Sequence, residues 1–169
     1  MELNNEDCFK IIDGSHIKVH QDACYTCNTT HDQCFGKTKG GRNSKLHAMT
    51  NSDGKLLDLI LRPGNEAEIK SAEQLLGELS DCVVLADKGY DSDELRNHVE
   101  EQGGVALIPG RKNRKKKVFY LKEVGKKRHV VENYFARVKR YRRIGTRYDR
   151  LSETFVSFIC LASIMDWIR

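Results

Sequence analysis

A chain of 169 residues with 39% hydrophobic residues and two prolines has enough apolar material for one domain with a real core, which excludes a disordered or fibrous protein. The net charge of +5 hides a division: residues 111–150 hold 17 Lys and Arg against Glu123, Glu132 and Asp149, giving +14 there and −9 elsewhere. Such asymmetry points to a polyanionic partner, nucleic acid ahead of a membrane surface, with a solvated basic face as the plain alternative. No 18-residue apolar run or signal peptide is visible, so the expectation is a soluble protein of the cell interior.

Residues 1–7 are polar. Cys8 to Asp13 reads as a short strand ending in an acid, and His16 to His20 as a second extended piece. Residues 21–44 read as one long loop, of the length usually reserved for function. Within it, Cys24, Cys27, His31 and Cys34 offer zinc-ligand types. Their spacing is tighter than a zinc knuckle uses, so a polar loop with free thiols is the preferred reading. Cys8, Cys82 and Cys160 sit in apolar runs and read as core residues.

The segments 45–50 and 55–61 flank Asn51-Ser-Asp-Gly54, which predicts a β-hairpin. A helix follows, expected to be capped by Asn65 with Glu68 in a capping box and to bury Ile69, Ala72, Leu75, Leu76 and Leu79. Cys82 to Ala86 is wholly apolar before Asp87, the pattern of a central parallel strand covered on both faces. Asp91 or Ser92 caps a second helix carrying Leu95 and Val99, and Val105 to Pro109 is a further strand. The run Arg111 to Lys117 has six cations in seven residues and reads as solvated unless a polyanion orders it.

From Arg128 to Arg143 the apolar residues Val131, Tyr134, Phe135, Val138 and Tyr141 fall at helical spacing, predicting one amphipathic helix. Its Glu132 stands among Arg128, Lys139 and Arg143, where salt bridging alone would account for it. A last helix starts at Asp149 or Ser152, with Leu151, Phe155, Phe158, Ala162, Met165 and Ile168 on one side. The order is β, a β-hairpin, α, β, α, β, a basic loop, α, α: a mixed α/β sheet flanked by helices, three strands first and alternation after.

Open α/β sheets place their sites beyond the carboxyl ends of strands. Asp13 and Asp87 are read at two such ends. Neighbouring parallel strands would bring them together, where their repulsion calls for a cation. Oxygen ligands suit Mg²⁺ or Mn²⁺, and Glu132 would supply a third carboxylate. Two such ions stabilise the attacking and leaving oxygens of a phosphoryl displacement. DNA phosphates would then meet Arg111, Lys112, Arg114 and Lys115 in the loop, and Arg128, Arg137, Lys139, Arg140, Arg142 and Arg143 on the helix.

Ile12-Asp13-Gly-Ser, Gly40-Gly-Arg-Asn-Ser-Lys-Leu-His47, Leu85-Ala-Asp87-Lys-Gly-Tyr90-Asp and Arg128-His-Val-Val-Glu132, with Lys139 and Arg142-Arg-Ile-Gly-Thr-Arg-Tyr-Asp149, carry a family resemblance. Over nearly its whole length the chain resembles bacterial insertion-sequence transposases with a DDE, RNase H-like catalytic domain. The resemblance implies that Asp13, Asp87 and Glu132 form the catalytic triad, and that Arg128 and Lys139 belong to the signature around the glutamate. Where that signature often has a tyrosine, this chain has Gly125. The implied reaction is Mg²⁺-dependent strand cleavage followed by transfer of the freed 3′-hydroxyl to target DNA. The implied partners are element-end and target DNA, further copies of the chain on DNA, and an upstream-frame transposase part. The expected location is cytoplasmic, at the nucleoid when on DNA. Residues 1–169 are expected to be a single catalytic domain, with the N-terminal DNA-binding domain of many relatives absent. A stand-alone metal nuclease and a non-catalytic DNA-binding remnant are the rival readings.

Overall fold

The computed structural model describes residues 9–24, 33–78 and 81–168. Its mixed sheet is built from β1 (Phe9–Val19), β2 (Gly36–Thr38), β3 (Gly41–Thr50), β4 (Leu56–Pro63), β5 (Val83–Leu85), β6 (Val105–Leu107) and β7 (Thr146–Arg147). The helices are α1 (Ile69–Leu76), α2 (Asp93–Glu101), α3 (Lys122–Gly125), α4 (His129–Val138), α5 (Arg142–Gly145) and α6 (Ser152–Ile168). The mixed sheet flanked by helices agrees with the RNase H-like expectation.

The strand order is β2-β3-β1-β5-β6, with β1 antiparallel to β3 and parallel to β5. β2 and β4 share the outer edge of β3, and β4 forms the predicted hairpin with it around Gly54, whose φ is 77°. β5 is central and parallel to both neighbours, and Val83, Val84 and Leu85 are all buried, as its unbroken apolar run predicts. The other edge of β1 is divided. β5 pairs only with Phe9–Ile11, and β7 pairs only with Lys18 and Val19. Residues 12–17 therefore have no strand on that side among the described residues.

Alternation along the strands builds one core on each side of the sheet. Phe9, Ile11, Leu46, Ala48, Val83 and Leu85 face α4 and α6, which supply Val131, Tyr134, Phe135, Val138, Phe155 and Ile159. Ile12, Met49, Val84 and Ala86 face α1 and α2, which supply Ala72, Leu75, Leu76, Leu95 and Val99.

Several expectations are corrected. Asp13 does not end a strand: β1 runs on to Val19, because Ile17 and Val19 still have core to fill. The supposed loop 21–44 contains a 3-10 turn at Gln21–Cys24, then β2 and the start of β3. Helix α1 begins at Ile69 without a side-chain cap, since Glu68 is drawn to Lys45 Nζ at 2.7 Å. Ser92 caps α2, its Oγ accepting from the Leu95 amide, while Asp91 is buried in an ion pair.

The helix read over 128–143 stops at Val138, and Tyr141 is extended before α5. A straight continuation would carry Ile144 about 120° round from Val138, into solvent. The break lets Ile144 bury and leaves Tyr141 exposed instead. Cys160 is exposed, not core. Cys8, Cys27, His31 and Leu79 lie outside the described residues, so the zinc reading does too, though Cys34 Sγ donates to the Leu61 carbonyl at 3.3 Å. No helix among the described residues is long and apolar enough to cross a membrane.

Candidate active site

The vacant stretch of β1's edge defines the site. Beyond the last β1–β5 rung, Ile11 opposite Leu85, each segment carries an aspartate two residues on. Two residues preserve the face in an extended chain, so Asp13 and Asp87 both lie on the α4 side. Asp13 Oδ1 accepts from the Gly14 amide at 2.8 Å, and Asp87 Oδ1 accepts from the Lys88 amide at 2.6 Å, opening the turn Lys88–Tyr90.

Glu132 comes from the first turn of α4 and remains half exposed. Arg128 stands between it and the sheet. Its Nη1 donates to Asp13 Oδ2 at 3.0 Å and its Nη2 lies 2.9 Å from Glu132 Oε1. The structure thus brings Asp13 and Asp87 together and links Glu132 to Asp13 through a guanidinium. Among the described residues no three His, Cys, Asp or Glu side chains are gathered tightly enough to hold a metal ion in this conformation.

The aspartate pair itself suits a hard divalent cation. It offers carboxylate oxygens on one face, and Asp13 is under electrostatic pressure. Burial raises its pKa above the usual 3.8, and the charges of Asp87 and Glu68 push the same way, against the Gly14 amide and Arg128. With the folded-state pKa above the unfolded one, the associated stability is present below the ordinary aspartate range and is lost as pH rises through the raised value. Asp13→Asn is therefore expected to raise the melting temperature of the metal-free protein at neutral pH. The gain should vanish below about pH 4, where aspartate is protonated in both states; calorimetry across that range checks it.

A buried polar layer on the opposite face holds the two aspartate-bearing segments in place. His47 on β3 sits opposite Gly14, and its Nδ1 lies 2.9 Å from the Tyr90 hydroxyl, three residues after Asp87. Burial lowers the His47 pKa to about 4, with Lys45 and Arg62 adding to the effect. Burial also raises that of Tyr90, helped by Glu68, Asp13 and Asp87. Both groups are neutral at pH 7 and share one proton across the contact. A Cβ on Gly14 would stand 3.0 Å from Lys45 Cε and 3.1 Å from His47 Nδ1, and one on Gly89 would lie 1.7 Å from Glu68 Oε2. A side chain at Gly14 would press on Lys45 and His47, and one at Gly89 would require the Glu68 carboxylate to move. Periodicity gave no sign of this layer, because His47 and Tyr90 meet across 43 residues.

The basic residues divide sharply. Arg137 grips Asp166 through Nε at 2.7 Å and Nη2 at 2.8 Å, and also bonds the Gly54 carbonyl. Lys139 Nζ donates to Ser15 Oγ and the His16 carbonyl, and Arg143 pairs with Asp149 and lies over the Phe158 ring. Arg111 bonds the Lys88 and Gly89 carbonyls, while Arg114 pairs with Asp91 and Asp93. Arg96 completes that knot, its Nη2 2.9 Å from Asp91 Oδ1. The head of the basic loop is thus anchored by ion pairs and not loose in solvent. Lys112, Lys115, Arg140 and Arg142 remain exposed.

The model of the transposase DDE domain matches residues 4–165. The chain belongs to this family of DDE transposase domains. A curated Brucella ovis protein, described as a transposase for insertion sequence element IS6501, is 33% identical over 128 residues, covering 75% of this chain and 98% of the relative. A Burkholderia cepacia protein, described as a transposase for IS402, is 26% identical over 147 residues, covering 75% and 67%. A piggyBac transposase synaptic complex with hairpin DNA aligns with 68% of this chain and 25% of its own at a TM-score of 0.48 and 12% identity, too distant to add to the assignment. Membership makes this transposase domain a nucleic-acid-handling enzyme by class.

Proposed function

We propose that this chain is a single catalytic domain that cleaves DNA and transfers the freed strand, with Asp13, Asp87 and Glu132 as its acidic triad. The observation that carries the reading is the pair of aspartates on neighbouring parallel strands, at the point where β5 and β7 leave the edge of β1 open. One or two Mg²⁺ or Mn²⁺ ions bound there would supply the positive charge that an in-line phosphoryl displacement requires.

The chain's own residues do the rest. Asp13 and Asp87 present oxygens from a rigid sheet, so little ordering remains to be done at the moment of reaction. Arg128 holds Glu132 beside them and, on releasing Asp13, is free to meet a phosphate oxygen. In the first step water attacks phosphorus and the P–O3′ bond breaks, leaving a 3′-hydroxyl. In the second, that hydroxyl attacks a target phosphodiester, so one ester bond forms as another breaks and no external energy source is consumed.

Double-stranded DNA is the substrate. The solvent-facing cations Arg140, Arg142, Lys112 and Lys115 hold its backbone, while Arg137, Arg111 and Arg114 keep the protein together. Arg140→Ala and Arg142→Ala are each expected to flatten the slope of log affinity against log salt by about one unit. Arg137→Ala should lower stability without that change of slope. Fluorescence anisotropy over a salt series, read beside thermal melts, separates the two effects.

The reaction is tested by incubating the protein, Mg²⁺ and end-bearing duplex with a target plasmid. Joined products support strand transfer. Cleavage without joining supports a stand-alone nuclease, and DNA binding with neither product supports a non-catalytic remnant.

A further inference from the structure

Two side chains of β3 reach beyond the neighbouring strand. Lys45 and His47 share one face, and both lean across β1 over Gly14, toward the turn that opens with Asp87. His47 meets the Tyr90 hydroxyl at the far end of that turn. Lys45 reaches it through an acid. Its Nζ lies 2.7 Å from Glu68 Oε1, while Glu68 Oε2 fills the space where a side chain on Gly89 would project. Glu68 leads directly into α1, which is anchored by the buried Ala72, Leu75 and Leu76.

The turn is gripped from its other side by Arg111, which donates to the Lys88 and Gly89 carbonyls. Within it, the Tyr90 amide donates to the Asp87 carbonyl at 2.9 Å and the Lys88 amide to Asp87 Oδ1 at 2.6 Å. So short a turn has little slack, and a shift at Gly89 passes to Asp87 two residues back. Lys45 is 7% exposed, and an ion pair at that depth is a weak source of stability. Its place against Gly89 gives it another use.

We infer that Glu68, held by Lys45, is a positioning residue for Asp87. Its carboxylate braces Gly89 and so sets how the Asp87 carboxylate stands to that of Asp13, and with it the affinity of the pair for a divalent ion. The inference rests on the reading of those two aspartates as an ion site. Glu68 acts from behind that site and not as a ligand, since no three acids among the described residues are gathered closely enough to hold an ion. Its charge is also felt at Asp13, so position must be separated from charge. Glu68→Asp does this: the charge stays, and the carboxylate withdraws by one methylene.

Mn²⁺ binding to the DNA-free, full-length chain, followed by electron paramagnetic resonance, tests it, with thermal melts giving the folded fraction of each sample. Glu68→Asp is expected to weaken Mn²⁺ binding about 10-fold, the lower end of what loss of a group orienting a metal ligand costs. Gly89→Ala should do the same by displacing the Glu68 carboxylate. Combined, the shortened acid makes room for the new methyl group, and affinity should return to within about 3-fold of wild type, a coupling that independent sites would not show. Asp87→Asn is the reference for loss of the site. If Asp87→Asn weakens Mn²⁺ binding and Glu68→Asp does not, this inference falls and the site stands. Losses that multiply in the double variant would also overturn it. Mn²⁺ binding indifferent to Asp87→Asn would overturn the site and this inference together.

Discussion

Asp87→Asn is expected to reduce DNA cleavage at least about a thousandfold while leaving the unfolding free energy within about 1 kcal/mol of wild type. The two halves of that result have different physical origins. Asparagine keeps the oxygen that accepts from the Lys88 amide, so the turn after β5 retains its cap. It loses the negative charge, and with it the electrostatic reason for a divalent ion to settle beside Asp13. Single-turnover cleavage assays and urea melts on the same preparation check both. Comparable loss of activity and stability would make Asp87 a structural residue.

Arg147→Met should produce the opposite pattern, destabilising the fold by about 3–5 kcal/mol out of a typical total of 5–15. Arg147 is fully buried in the two-residue strand β7. Its guanidinium donates to the carbonyls of Gln33, Asp149 and Arg150 and to Ser44 Oγ at 2.8–3.1 Å, and lies 4.3 Å from the ring centre of Phe35. Burial lowers its pKa to about 10, so it stays charged at neutral pH. Methionine of similar length leaves four acceptors without their donor. Arg147→Lys should recover only part of the loss, because an ammonium lacks the planar fork that reaches several acceptors at once. Denaturant titration reads the cost directly; a change under about 1 kcal/mol for Arg147→Met would remove this residue from the structural core.

How much of this was legible in the sequence depended on the range of the interaction. The hairpin around Asp53-Gly54 and the buried strand Val83–Leu85 were readable because local turn chemistry and apolar runs decide them. So was the convergence of Asp13 and Asp87, although Asp13 lies within β1 and not at its end. The break after Val138 was hidden, because a helical period continues to Tyr141 while only the tertiary need to bury Ile144 ends it. Likewise, a single apolar stripe was expected on α6, where the fold uses Phe155 and Ile159 inward and Leu161 and Met165 outward.

The basic segment was only partly legible. Its seventeen cations in forty residues point to a polyanionic partner, and ten residues of the segment were read as DNA contacts. In the structure Arg111, Arg114 and Arg137, together with Arg147, also stitch together elements far apart in the chain. Charge composition counts cations but does not show which carboxylate or carbonyl each will meet. Arg128 is the instructive case. The plain salt-bridge reading of Glu132 holds in this conformation, and the same guanidinium ties that glutamate to Asp13.

The central claim is that Asp13 and Asp87 form the floor of a divalent-ion site which Glu132 completes. Crystals of the protein with end-bearing DNA, soaked in Mn²⁺ and measured at the manganese absorption edge, address it directly. The account predicts an anomalous peak between the Asp13 and Asp87 carboxylates, with Arg128 displaced from Asp13 and Glu132 turned inward. A manganese peak confined to other residues, or none at the aspartates while Arg128 still spans Asp13 and Glu132, would contradict it.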